Sequence, residues 1–191
     1  MSSDPVQVPV SGVVRSATRV LRDAGVDSAP AEAQLICAHV LGVDRSRLMV
    51  LDHVSPAEAR RIEGLVYARA RDRTPLQYLL GSAVSGRLAL AVGPGVFIPR
   101  PETELLIDWT LAAMPPPGTG HAPVVVDLCA GSGAIALEIA HARPDAQVHA
   151  VELHAAAFAW LRHNADLREA AGDTPVEVHR ADATDPDLLV E

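Results

Sequence analysis

The chain has 191 residues, 49% of them apolar and 21% charged, with two cysteines and a formal net charge of −8. Its length allows one large or two small domains with a buried core; no apolar run approaches the ~20 residues of a membrane helix, and the first residues lack the basic-then-apolar layout of a secretory signal, so cytoplasmic residence is expected. Charge divides unevenly, with ten arginines against nine acids in residues 1–80 (net +1) and six against fifteen in residues 81–191 (net −9), which argues against the second part gripping a nucleic-acid backbone.

Taken in chain order, Ser11 to Ala24 carries Val13, Val14, Ala17, Val20 and Leu21 at helical spacing, with Gly25 as a natural stop. Pro30 sits in the first turn of a second helix that ends at Gly42, and Asp44 is expected to cap a short third one through Leu51. Ser55-Pro56-Ala57-Glu58 is a capping box with proline at the first helical position, so Pro56 to Arg71 is the best-marked helix of the chain. These segments predict a small all-helical domain over residues 1–80. Arg60, Arg61, Arg69, Arg71 and Arg73 crowd its end, either as a solvated face at a helix C-terminus or as a docking surface for an acidic or RNA-associated partner.

Thr74 to Gly81 reads as a short joint. Ala83-Val84 and Arg87 to Val92, flanking Ser85-Gly86, read as a β-hairpin, so residues 81–99 form the expected connector. Pro99-Arg100-Pro101 then fixes an extended entry, and Pro101 is expected to open a helix running to about Met114, with Glu102 and Glu104 in its first turn, where the helix dipole favours anions.

Val124 to Ala136 is an apolar strand, a glycine turn and a helix start, with the carboxylate of Asp127 just before the turn. Glycine suits such a turn because a residue without Cβ tolerates its backbone angles and lets a ligand approach. A dinucleotide would place its pyrophosphate against this helix start, where a nearby acid repels it. S-adenosylmethionine carries a sulfonium and an ammonium and no phosphate, so Asp127 favours it. Val148 to Glu152 is the next strand, and Glu152 stands 21 positions beyond Gly131, as a ribose-binding acid would. The spacing of Gly131, Gly133 and Ala136 also satisfies the dinucleotide fingerprint, which leaves a nicotinamide cofactor open. Val176 to His179 reads as a third strand, with Asp182 just past it. Cys37 and Cys129 are expected to be reduced, buried packing residues, and the scattered histidines give no metal site by spacing.

Phe97-Ile98-Pro99-Arg100-Pro101-Glu102-Thr103-Glu104, followed by Val126 to Ala136, resembles the HemK/PrmC family of release factor glutamine methyltransferases. The resemblance extends over essentially the whole chain. It implies an α/β protein: a helical substrate-docking domain (1–80), a hairpin connector (81–99) and the first part of a Rossmann-like methyltransferase domain (100–191). It implies methyl transfer from S-adenosylmethionine to the side-chain amide of the glutamine in the Gly-Gly-Gln loop of class 1 peptide chain release factors. By motif match, Asp127 and Cys129, Ala130, Gly131, Ser132 and Gly133 meet the cofactor's methionine part, Glu152 its ribose, and Asp182 with Ala183 its adenine. Phe97 and Arg100 line the entrance for the substrate.

One departure stands out. The family's catalytic Asn-Pro-Pro-Tyr, at the end of its fourth strand, occurs nowhere in this sequence, which stops at Glu191. An amide nitrogen is a poor nucleophile, and that motif is expected to orient it. The chain therefore reads as a fragment without catalytic residues, inactive alone on release factors. In the family's strand order Val124 to Leu128 would then show a bare apolar edge, open to self-association. The alternatives are a non-catalytic docking or cofactor-binding protein and a nucleic-acid amino-methyltransferase.

Overall fold

The computed structural model describes residues 7–120, 122–186 and 188; the chain end at Glu191 lies outside them. The chain divides into two compact units, Met1–Leu80 and Gly81–Glu191.

In the first unit, β1 (Val8–Pro9) leads into α1 (Val10–Asp23), followed by α2 (Ala29–Leu41), a 3-10 helix (Arg45–Val50), β2 (His53–Val54), α3 (Pro56–Ala70) and α4 (Leu76–Leu80). The stops read from glycine are present: Gly25 and Gly42 both have positive φ, and Gly42 takes the left-handed cap of α2. The capping box is complete, with the Glu58 amide donating to Ser55 Oγ at 3.2 Å and the Ser55 amide donating to Glu58 Oε2 at 2.8 Å. Leu21, Ala33, Ile36, Ile62 and Val66 close the core between α1, α2 and α3. Across it, Arg69 of α3 makes a two-pronged ion pair with the buried Glu32 of α2, at 2.6 and 3.1 Å, so one member of the arginine group is spent inside the unit.

Two local expectations are corrected here, and one pairing is added. The short helix after Asp44 is of the 3-10 type, and Asp44 at its N-cap makes no side-chain bond to it. The joint after Thr74 contains α4, whose Leu76 packs on the core. β1 and β2 pair antiparallel, Val8 with Val54, a contact between residues too distant in sequence to leave a local pattern.

The second unit runs β3 (Ser82–Ser85), β4 (Leu88–Ala91), α5 (Thr103–Ala113), β5 (Val124–Leu128), α6 (Ala134–Ala142), β6 (Gln147–Val151), α7 (Ala155–Ala170) and β7 (Glu177–His179). β3 and β4 form the expected hairpin around Gly86, whose φ is +53°. α5 starts at Thr103 rather than at Pro101, because the Thr103 and Glu104 amides first close tight turns onto the carbonyls of Arg100 and Pro101. Glu102 is consequently the N-cap residue. β5, β6 and β7 form a parallel sheet in that order. One face carries Val125, Val148, Ala150 and Val178, packed with Ala136, Ile139, Ala140 and Leu161. Among the described residues β5 pairs on one side only, and Val124 and Leu128 are 63% and 51% exposed. The unpaired side of β5 is an open edge among those residues, while the exposed side chains lie on the sheet face of Val126.

Candidate cofactor site

The glycine turn lies where β5 gives way to α6, at the C-terminal end of the sheet, the usual position for ligands in open parallel α/β folds. Its backbone winds through left-handed angles at Cys129 (φ +62°), Gly131 (+58°) and Gly133 (+88°). Cys129 is the non-glycine among them, a strained conformation of the kind that persists at ligand sites at a cost on the order of 1–3 kcal/mol. It also turns its side chain outward: Cys129 is exposed, not the buried packing residue expected from its apolar neighbours. Cys37 is buried, and burial pushes its thiol up to about 11. A thiol so protonated is inert.

The two glycines face opposite ways. A Cβ on Gly131 would enter open space, whereas one on Gly133 would stand 2.8 Å from Leu161 Cδ1 and 2.9 Å from Leu137 Cδ1. Gly131 thus leaves a surface clear above the turn, and Gly133 lets the turn sit on the core.

Two buried carboxylates hold this turn. Glu152, one residue past β6, accepts from the Gly131 amide through Oε2 at 2.9 Å and from the His154 amide through Oε1 at 2.8 Å. Asp127 Oδ2 accepts from the Ala136 amide in the first turn of α6 at 3.1 Å. The Gly133 amide donates to the Ala130 carbonyl, and the Ala130 amide to Val151. Amides that would cradle a pyrophosphate are therefore taken by acids and carbonyls of the protein itself.

Burial pushes the Asp127 carboxyl up to about 6; the Glu152 charge adds to the rise and the Ala136 amide opposes it. Its folded value lies above the ordinary one, so the folded state binds this proton more tightly than the unfolded chain. The contribution to stability is greatest below about pH 4, falls as pH rises through 6 and then levels off, a change of about 3 kcal/mol. Asp127→Asn keeps an acceptor for Ala136 and removes the titration. Urea unfolding of parent and variant at pH 4.5 and 7.5 is expected to show the variant gaining on the parent as pH rises; parallel pH curves would contradict this assignment.

Asn164 of α7 belongs to the same assembly, although sequence reasoning did not select it. It is buried, and its Nδ2 donates to the carbonyls of Ser132 (2.9 Å) and Ala91 (3.0 Å) while Oδ1 accepts from the Ala91 amide (2.8 Å). Glu138 of α6 ties down the hairpin turn, its Oε1 accepting from the Arg87 and Leu88 amides at 2.7 and 2.8 Å. An asparagine or glutamate within an otherwise apolar helix face was the available signal for both.

The other candidate residues lie at two further places. The Glu152 amide donates to the His179 carbonyl, which sets the end of β7 beside the turn, with Asp182 and Ala183 just beyond. Asp182 Oδ1 accepts from the Thr184 amide and hydroxyl, bonds that hold its carboxyl below the usual range. Phe97, a residue 63% exposed, and Arg100 form a pair of their own in the loop before α5, the guanidinium 5.1 Å from the ring centre.

Comparison with known proteins agrees with both units. Residues 13–81 match the family model described as PrmC N-terminal domain, and residues 101–187 match that described as Methyltransferase small domain. Proteins named release factor glutamine methyltransferase match from Mycolicibacterium smegmatis (51% identity, 93% of this chain and 59% of that protein) and Corynebacterium glutamicum (46%, 93% and 61%). One from Mycobacterium leprae is 43% identical, over 93% of this chain and 58% of its own length. The chain spans about three fifths of the length of these relatives. With both units matched in order and a glycine turn built on Asp127 and Glu152, the chain belongs to the HemK/PrmC family of release factor glutamine methyltransferases.

Proposed function

We propose that the second unit holds S-adenosylmethionine at the ends of β5 and β6, and that the chain serves methylation of the glutamine side-chain amide in the Gly-Gly-Gln loop of class 1 release factors. The observation that carries the cofactor assignment is the spending of the Gly131 and Ala136 amides on buried carboxylates. A pyrophosphate would lose those donors and meet two acids. A sulfonium with an ammonium gains from the same negative field. This argues against the nicotinamide reading that spacing alone left open.

In this reading Cys129 to Gly133 wrap the methionine part. Glu152 takes the ribose hydroxyls on lone pairs that the two amides leave free, since each carboxylate oxygen can accept more than one bond. Asp182 and Ala183 border the adenine. The bound donor supplies an electrophilic methyl group; the chain's own residues fix its orientation and keep the sheet end closed beneath it. Phe97 and Arg100 are assigned to the glutamine's entrance.

The first unit is assigned to docking the release factor in the cytoplasm, with Arg60, Arg61, Arg71 and Arg73 on its exposed surface. Arg60 also lines a cleft of about 500 Å³ beside α1 and α3. Self-association through the open β5 edge belongs to the same reading. No residue is assigned to orienting the amide nitrogen, because the sequence contains no Asn-Pro-Pro-Tyr. The alternative reading is cofactor binding and docking without catalysis by these 191 residues.

A chimera tests both. Residues 1–180 of this chain are joined to the remainder of the Mycolicibacterium smegmatis relative and incubated with S-adenosylmethionine, a class 1 release factor and an adenine-containing oligonucleotide. Mass spectrometry is expected to find one methyl on the Gly-Gly-Gln glutamine from the chimera and none from the 191-residue chain. Methyl on the oligonucleotide, or none from a chimera that binds the donor, would overturn the substrate assignment.

A further inference from the structure

Parallel pairing of β6 with β7 sets His149 opposite Glu177 and Val151 opposite His179. Side chains alternate between the two faces of a sheet, so His149, Glu177 and His179 share one face. It is the face of Val126, which pairs with His149 from the other side, and lies opposite the one packed against Ala136 and Ile139. His149 Nδ1 is 3.1 Å from His179 Nε2 and 3.6 Å from Glu177 Oε2. The two rings stack with centroids 5.3 Å apart, and one ligand atom from each of the three residues falls within 4.8 Å of the others.

Those separations have a chemical meaning. Zinc binds imidazole nitrogen and carboxylate oxygen at about 2.0–2.2 Å in a tetrahedron, whose edges are then about 3.3–3.6 Å. The 3.1 and 3.6 Å separations bracket that edge. The Glu177 carboxylate is also oriented: Gln147 Nε2 donates to its Oε1 at 3.4 Å, leaving Oε2 toward His149. Outer partners of this kind fix metal ligands in place. The His149 side chain is only 11% exposed and that of Glu177 55%, so the cluster has a buried floor and an open side on which water can complete the coordination. Two imidazoles with one carboxylate suit zinc, cobalt or nickel rather than magnesium or calcium.

We propose that His149, Glu177 and His179 form a binding site for a divalent transition-metal ion, with zinc as its ligand, that clamps β7 to β6. The clamp lies directly behind the cofactor turn, because the His179 carbonyl accepts from the Glu152 amide. Its role is structural, holding the strand ends from which Glu152 and Asp182 project. It stands independently of the methyl-donor assignment.

The test is a cobalt titration of the tag-free full chain, followed by visible d–d absorption, with zinc added afterwards in competition. One cobalt per chain with the intense bands of a tetrahedral site is expected, bleached by zinc, and saturating zinc is expected to raise Tm. Loss of an outer partner alone weakens metal sites about 10–100-fold, so His179→Asn is expected to weaken zinc at least about 100-fold. Glu177→Gln, at an exposed position that leaves folding intact, is expected to weaken it about tenfold or more. Absence of stoichiometric binding by the folded parent would overturn the proposal, as would affinity unchanged in both variants.

Discussion

Gly133→Ala is expected to destabilise the second unit by about 2–5 kcal/mol, among the largest effects of any single substitution in the chain. Two costs combine. An L-residue at φ +88° costs about 1–2 kcal/mol, and the new methyl would stand under 3.0 Å from Leu161 and Leu137. Both leucines are almost completely buried, so neither can swing aside without disturbing packing, a further ~1–3 kcal/mol. Gly131→Ala bears only the first cost, since its methyl meets open space. Urea unfolding should separate the two variants by at least about 1 kcal/mol. Equal destabilisation would mean that the turn does not seat on the core through Gly133.

Asn164→Ala is expected to cost about 3–5 kcal/mol, although it removes only one polar side chain from a helix. The Val92 amide bonds to the Gly81 carbonyl, so in the antiparallel alternation Ala91, one residue earlier, points its N–H and C=O away from β3. The Asn164 amide satisfies both, taking the place a third strand would occupy, and also donates its second N–H to the Ser132 carbonyl. Alanine leaves three backbone groups without these bonds, each costing about 1–3 kcal/mol where water cannot replace them. Hydrogen exchange should show the Ala91 amide losing protection in the variant. Retained protection there would show that Asn164 is not what holds the hairpin to the turn.

These two positions also show what a single sequence exposes. Gly25, Gly42, the Ser55 box and the Gly131–Gly133 turn were legible because each acts through its own backbone angles or through a neighbour within four residues. α7 was not read. Its buried stripe is Ala157, Leu161 and Ala165 with Asn164, and alanine and asparagine give little periodic contrast to a sequence so rich in alanine. Asp127 reads as a ligand contact from its charge beside the turn and Glu152 from its spacing; that they also anchor the amides of Ala136 and Gly131 depends on how two strands end side by side. The cluster of His149, Glu177 and His179 was invisible for a like reason, because 28 or 30 residues separate ligands that only the β6–β7 register unites.

The central claim is that the turn between β5 and α6 is a site for a cationic methyl donor. Calorimetric titration of the chain with S-adenosylmethionine, beside NAD and beside the Gly131→Ala variant, tests it most directly. The account predicts saturable one-to-one binding of S-adenosylmethionine, no heat with NAD, and at least a tenfold loss of affinity, about 1.4 kcal/mol, in a variant that remains folded. A folded chain that ignores S-adenosylmethionine, or one that binds it equally well with a methyl group at position 131, would contradict it.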